Sequence, residues 1–224
     1  MTLMLRARDL ELPGHQVETR RVSLEVEPGD VVGIAGPPGV GKSMLLRLLS
    51  GSLPARAEAL EVLGIDAIRE PRRVWECVGY LRGDRESFLW HLSARDNLRH
   101  HGALKRLQGA TLDRAVLLQL RRVGLFPRAG AAARFLERDD RLRLSMAQAW
   151  LDEPRLLLLD DPLRGAGAAA AEQFVATFEQ WLAEDSNRGA IVVGRSLRPF
   201  IPQLTRAYIL RERWLATIPP WDLP

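Results

Sequence analysis

Lysine is nearly absent from this chain. Of its 32 basic residues only Lys42 and Lys105 are lysines, and the other thirty are arginines. Cysteine occurs once, as Cys77, which excludes an internal disulfide. One cysteine and four histidines also argue against a structural zinc site. No apolar run approaches the roughly 18 residues that a membrane-spanning helix needs. The first twelve residues carry Arg6, Arg8, Asp9 and Glu11 and lack the hydrophobic stretch of a secretory signal. The expectation is a cytosolic protein whose association with a membrane goes through a partner.

What is present bounds the rest. Hydrophobic residues make up 46% and charged residues 27% of 224, enough for a core and a solvated surface, so disorder and collagen are excluded. The length suits one domain, or one domain carrying an inserted subdomain. A net charge of +4 and a pI of about 9.9 fit a nucleic-acid or membrane surface, or a GC-rich coding bias.

Leu3, Leu5 and Ala7, then Leu10 and Leu12, read as a strand with a break, and Val22, Leu24 and Val26 as a second strand closed by the turn Glu27–Asp30. Val31-Val32-Gly33-Ile34-Ala35 is a short, wholly apolar run of the kind buried on both faces of a parallel sheet. Leu156–Leu159, Ala190–Val193 and Ala207–Leu210 have the same look. Between them, from about Asp84 to Trp150, the chain turns rich in Arg, Leu and Ala, and Leu112, Ala115, Val116, Leu118, Gln119 and Val123 suggest amphipathic helices. Phe174, Val175, Phe178, Trp181 and Leu182 share one helical stripe. Strands alternating with helices predict an α/β fold with a parallel sheet. The core is expected over residues 1–83 and 151–218, a helical insertion over 84–150 and a loose tail over 219–224.

The strongest motif is Gly36-Pro37-Pro38-Gly39-Val40-Gly41-Lys42-Ser43, between the apolar run and the helical Met44–Leu49. Glycines allow successive backbone N–H groups to point inward around anionic oxygens, and the following helix offers its positive end to the same phosphates. Lys42 is expected to reach the β- and γ-phosphates and Ser43 to ligate Mg²⁺. Asp160, closing a second apolar strand 118 residues after Lys42, suits the other magnesium ligand.

With these motifs the sequence resembles the ATP-binding subunits of ABC transporters over nearly its whole length. The likeness also rests on Val22–Asp30, Leu46–Gly51, Val62–Asp66, Val78–Leu81, Ala94–Leu98 and Asp152–Pro162. It implies a P-loop NTPase (RecA-like) core with a parallel sheet, an N-terminal antiparallel β part and an inserted helical subdomain. It implies ATP and Mg²⁺ as ligands, with Gly36 to Met44 around the phosphates, and places the adenine-stacking residue near Leu12–His15, where His15 is the candidate. Met44 stands where the family usually has a hydroxyl.

The departures from the family pattern concern hydrolysis. Gly83 falls on the position of the family's magnesium- and water-binding glutamine. Leu136-Glu137-Arg138-Asp139-Asp140 replaces the signature LSGGQ, which contacts the γ-phosphate held by the opposite subunit, so three acids are expected to face that phosphate. Asp161 replaces the glutamate general base and, one methylene shorter, sits farther from an attacking water. Gly167 replaces the D-loop aspartate, and Arg195 the switch histidine.

The resemblance therefore implies a nucleotide-binding subunit with weak or no hydrolysis. Its implied partners are integral membrane permease subunits and another ATP-binding subunit, in a homo- or heterodimer, with no nucleic acid. Its implied place is cytoplasmic, on the inner face of the cell membrane through those partners. Two alternatives stay open: a hydrolysing transport ATPase with Asp161 as base, and a soluble ABC-type ATPase outside transport. Phe88 and Trp90 are candidate residues for a groove that takes a helix of the membrane subunit. Arg69, Arg72 and Arg73 read as a solvated face, and His100 and His101 as surface.

Overall fold

The computed structural model describes residues 3–13, 20–83, 88–211 and 215–223. Its larger sheet has six strands in the order β10-β9-β3-β8-β7-β6, where β3 is Val31–Ala35, β6 Gly79–Arg82, β7 Leu156–Asp160, β8 Gly189–Gly194, β9 Arg206–Leu210 and β10 Leu215–Ile218. All neighbouring pairs are parallel except β9 with β10. The apolar runs become the middle of this sheet because every residue of β3, β7 and β8 is buried. Successive side chains of a strand point to opposite faces. Leu157, Leu159, Ala190 and Val192 accordingly join one hydrophobic cluster, with Trp150, Phe174, Phe178 and Trp181. Leu156, Leu158, Ile191 and Val193 join another, with Leu45, Leu46 and Leu49.

The second sheet is antiparallel, in the order β2-β1-β4-β5, with β1 Leu5–Leu12, β2 Arg20–Val26, β4 Ala59–Val62 and β5 Ile65–Asp66. The expected break in the first strand is a register shift between Ala7 and Leu10. There Asp9 takes a φ of 46° and its backbone N–H donates to the Ser23 hydroxyl. The N-terminal strands and the helix α1, Lys42–Leu49, share one face of the larger sheet through the second cluster.

The helix α2 is Pro71–Cys77. Here the expected solvated arginines are exposed and tied to acids: Arg69 to Asp66, Arg72 to Glu76 and Arg73 to Glu70. Between β6 and β7 lie α3, Ala94–Leu104, α4, Gly109–Arg122, and α5, Arg138–Ala149, and α6, Ala168–Ala183, follows β7. Leu112, Val116, Gln119 and Leu120 form the buried stripe of α4, whereas Leu118, expected on it, is exposed.

The end of the chain differs from the loose tail expected over 219–224. Pro220–Asp222 form a 3-10 turn, and Leu223, 6% exposed, joins the main core cluster. Burying a leucine is worth about 1.5–3 kcal/mol, enough to hold a short end in place. Trp214 lies outside the described residues, and Trp221 is exposed.

Candidate functional site

Parallel pairing sets the C-terminal ends of β3, β8, β7 and β6 side by side. Ala35 pairs with Gly194, Val193 with Asp160, and Asp160 with Arg82. Ligands of open α/β sheets bind outside this edge. The phosphate loop leaves β3 at Gly36, and Gly36, Gly39 and Gly41 all have positive φ. Gly36 has a second constraint, because a Cβ there would lie 2.5 Å from the Leu210 carbonyl oxygen. Gly41, left-handed at 105°, starts α1 without any side-chain cap, so the first N–H groups of the helix are left to an incoming anion.

Lys42 Nζ donates to the carbonyl oxygens of Gly36, at 2.6 Å, and Pro37, at 3.0 Å. Burial pushes its pKa below the ordinary 10.5, while the carboxylates of Asp161 and Asp160 act the other way and Arg195 acts with burial. Arg195, an exposed residue just past β8, thus belongs to the same electrostatic cluster. Ser43 Oγ donates to Asp160 Oδ1 at 2.9 Å, across 117 residues of sequence. A hydroxyl and a carboxylate oxygen so close make a donor set that fits Mg²⁺, a hard cation that takes oxygen ligands. Met44 is half-buried on α1 and Val40 buried behind the loop. His15 lies outside the described residues.

Asp161 follows β7 with a left-handed φ of 47°, and its N–H donates to the Val193 carbonyl at 2.7 Å. Aspartate tolerates that backbone better than most residues. Its carboxylate lies beside Gly194, where a Cβ would be 3.5 Å from Oδ1. Gly83 donates its N–H to the Asp160 carbonyl. A Cβ at Gly83 would fall 2.2 Å from the Asp161 carbonyl oxygen and 2.6 Å from that of Asp160. Sequence reading missed this second property of Gly83, since it arises only when β6 lies against β7.

The three acids expected on the signature position are not presented together. Asp140 is buried and paired with Arg143 at 3.0 Å, and Arg143 also donates to Gln173. Asp139 Oδ1 lies 3.5 Å from the Gly167 amide nitrogen. Glu137 is exposed at the start of α5. Arg138 donates to the Arg164 carbonyl and fills the space that a side chain at Gly165 would take.

The groove residues pack edge to face, with ring centroids 5.9 Å apart, but differ in exposure. Phe88 is buried in the core and Trp90 is 44% exposed, with Arg141 over its ring. Leu89 between them lines a cavity of about 350 Å³, together with Arg47, Tyr80, His101, Lys105 and Gln148. Lys105 is buried and holds an ion pair with Asp152. His100 is exposed, as expected, but His101 turns inward, edge-on to Trp75. Burial, then Lys105 and His100, lower the pKa of His101 to about 3. The folded protein therefore stays neutral at His101 while the unfolded chain takes up a proton below about 6.5, so stability falls as pH drops from 6.5 toward 3. At about 1.4 kcal/mol per unit, at most about 3 kcal/mol goes between pH 6.5 and 4. Thermal melts of His101→Phe are expected to lose less over that range than wild type, and parallel curves would exclude His101 as the cause.

A model of the family described as "ABC transporter" matches residues 19–164. The chain belongs to the ABC transporter family. An uncharacterised ABC transporter ATP-binding protein of Bacillus subtilis, YdbJ, is 28% identical over 211 residues, 94% of this chain. The chain spans 66% of YdbJ and 65% of NatA, a second Bacillus subtilis relative. A cytochrome c biogenesis ATP-binding export protein, CcmA of Nitrosomonas europaea, is 34% identical over 81% of this chain and 84% of its own length. Among solved structures, an ATP-binding subunit of an ABC transporter superposes with a TM-score of 0.83 at 21% identity, covering 97% of this chain and 90% of its own. The dimeric cassette MJ0796 bound to ADP and Pi gives 0.82 at 18% identity, covering 95% and 96%. The fold is thus that of ABC ATP-binding subunits: a P-loop NTPase core of mixed α/β structure with a parallel and an antiparallel sheet.

Proposed function

We propose that this chain is a nucleotide-binding subunit of an ABC transporter complex that binds Mg-ATP and hydrolyses it slowly or not at all. It works beside integral membrane permease subunits and another ATP-binding subunit, a second copy or a different chain, on the cytoplasmic face of the membrane. The observation that carries this reading is one row of strand ends in which the phosphate-binding half of a site is complete and the hydrolytic half is altered. Gly36 to Ser43 and Asp160 supply the first half. Gly83, Asp161 and Arg195 stand in the second.

When ATP arrives, Lys42 exchanges two carbonyl acceptors for phosphate oxygens, and the uncapped N–H groups of α1 meet the same anion. Ser43 and Asp160 would hold the magnesium, which neutralises phosphate charge. Arg195 adds a fixed positive charge but cannot accept a proton as a neutral imidazole does. Among the described residues Asp161 is the carboxylate that stands where a base would act, with a shorter reach than glutamate. Gly83 has no side chain to orient a water, and its surroundings exclude one. Binding and closure against a partner are then this subunit's contribution. The cavity lined by Leu89 and Arg47 supports contact with a membrane subunit.

The test is steady-state hydrolysis by the purified chain. Turnover far below about one per second is expected, at the bottom of ordinary enzyme rates. Magnesium-dependent turnover near that rate, lost in Lys42→Ala, would overturn the slow-hydrolysis reading. Loss of that turnover in Asp161→Asn would then make Asp161 the base. Gly83→Gln alone is expected not to raise turnover, because its Cβ meets the Asp161 carbonyl; a tenfold rise would show that the loop yields.

A further inference from the structure

The outward stripe of α4 reverses the usual order of a surface helix. Arg114, Leu117, Leu118 and Arg121 recur at the i, i+3, i+4, i+7 spacing of one helical face, and all four are exposed. Leu117 is 38% and Leu118 48% exposed. The stripe continues into the short 3-10 helix Phe126–Arg128, where Phe126, 42% exposed, lies 5.3 Å under the Arg121 guanidinium. Arg128 is exposed two residues on.

Among the described residues no carboxylate pairs with any of these three arginines. Arg114 donates only to the Ala110 carbonyl of its own helix, and Asp113, on the flank, is taken by Arg99. The acids that do serve α4 lie on its other side, where Glu153 and Glu184 hold Arg122. Leaving three large apolar side chains in water beside three uncompensated charges gains nothing within the chain itself. Contiguous exposed apolar groups on a folded protein mark an interaction surface.

We infer that this stripe rests on an anionic lipid surface. Leucine and phenylalanine between arginines is the composition of helices that lie in a membrane interface, apolar side chains entering the headgroup boundary and cations holding anionic lipid. The contact is direct and adds to any hold through membrane subunits. It does not depend on the nucleotide reading, because it uses neither the phosphate loop nor a partner chain.

The experiment is sedimentation of the purified chain with vesicles, without nucleotide, at low and physiological salt. One set is pure phosphatidylcholine and the other contains about 30% of the anionic lipid phosphatidylglycerol, enough to give a negative surface. Binding is expected only to the anionic set. Arg114→Glu/Arg121→Glu should weaken it about 25-fold or more, at about fivefold for each arginine lost from the surface and with the added glutamates repelling the lipid further. Leu118→Gln, which keeps the charge, should weaken it several-fold. The control Arg8→Glu/Arg56→Glu changes net charge equally at exposed sites elsewhere. If the control loses as much as the stripe variant, or Leu118→Gln loses nothing, the binding is general attraction of a basic protein and the inference fails. No sedimentation with anionic vesicles at low salt also overturns it and leaves the stripe to a protein partner.

Discussion

Lys42→Ala is expected to cut the affinity for Mg-ATP about thirty- to a hundredfold while leaving the melting temperature within a few degrees of wild type. Two effects set the size. A charge-assisted hydrogen bond to phosphate is worth about 1.5–3 kcal/mol net, since the ammonium must give up other acceptors first. Those acceptors are the carbonyls of Gly36 and Pro37, at 2.6 and 3.0 Å. The second is the field of the site. Asp160 and Asp161 push a phosphate away unless Lys42, Arg195 and a cation offset them. Removing Lys42 takes away an offsetting charge as well as a donor, which places the loss toward the upper end. Lys42→Arg is expected to restore less than half of the lost binding energy. A planar guanidinium cannot sit between two loop carbonyls as a compact ammonium does. Isothermal titration with Mg-ATP measures both variants. Unchanged affinity in Lys42→Ala would move the nucleotide away from the phosphate loop, and with it the whole reading of the site.

The strand–loop–helix frame of that site was legible in sequence because its signals are local. Five apolar residues, a glycine-rich turn and a helical run follow one another from Val31 to Leu49, and the structure keeps them in that order. Asp160 was legible for the same reason, as the acid closing an apolar run. Other features depend on contacts between distant segments. Asp140 looked like one of three acids on a surface, yet it faces inward because Arg143 lies one turn on and Gln173 is packed across from α6. Gly83 read as a missing glutamine, and only the pairing of β6 with β7 makes it a position without room for a side chain. The tail looked loose because its prolines and polar residues hide one buried leucine, Leu223.

The second lysine carries the other large expected effect. Lys105 follows α3, its side chain is 2% exposed, and Nζ donates to the Val78 carbonyl at 2.7 Å and to both carboxylate oxygens of Asp152 at 3.0 and 2.9 Å. All three protons of the ammonium are therefore used, on partners 27 and 47 residues away, which is why sequence reading passed it over. Val78 precedes β6 and Asp152 precedes β7, the strands whose far ends carry Gly83 and Asp160. Lys105→Ala leaves a largely buried carboxylate and a carbonyl without their partner. Breaking a buried pair in this way costs about 3–5 kcal/mol. The remaining 14% exposure of the Asp152 side chain favours the lower figure, about 3 kcal/mol. In a chain of this length that is about 9 °C in melting temperature. Lys105→Arg should not rescue it, since a fork of planar donors cannot meet three acceptors around one nitrogen. Lys105→Met with Asp152→Leu removes both charges and should recover most of the loss, leaving only the Val78 carbonyl unserved. Melting within about 1 °C of wild type in Lys105→Ala would mean that the pair holds nothing. A double variant as unstable as Lys105→Ala would place the cost in lost packing rather than in the stranded carboxylate. In a chain with thirty arginines, the two lysines stand where several oxygens converge on a single nitrogen, two backbone carbonyls at Lys42 and one carbonyl with both Asp152 carboxylate oxygens at Lys105, a geometry that a guanidinium cannot satisfy.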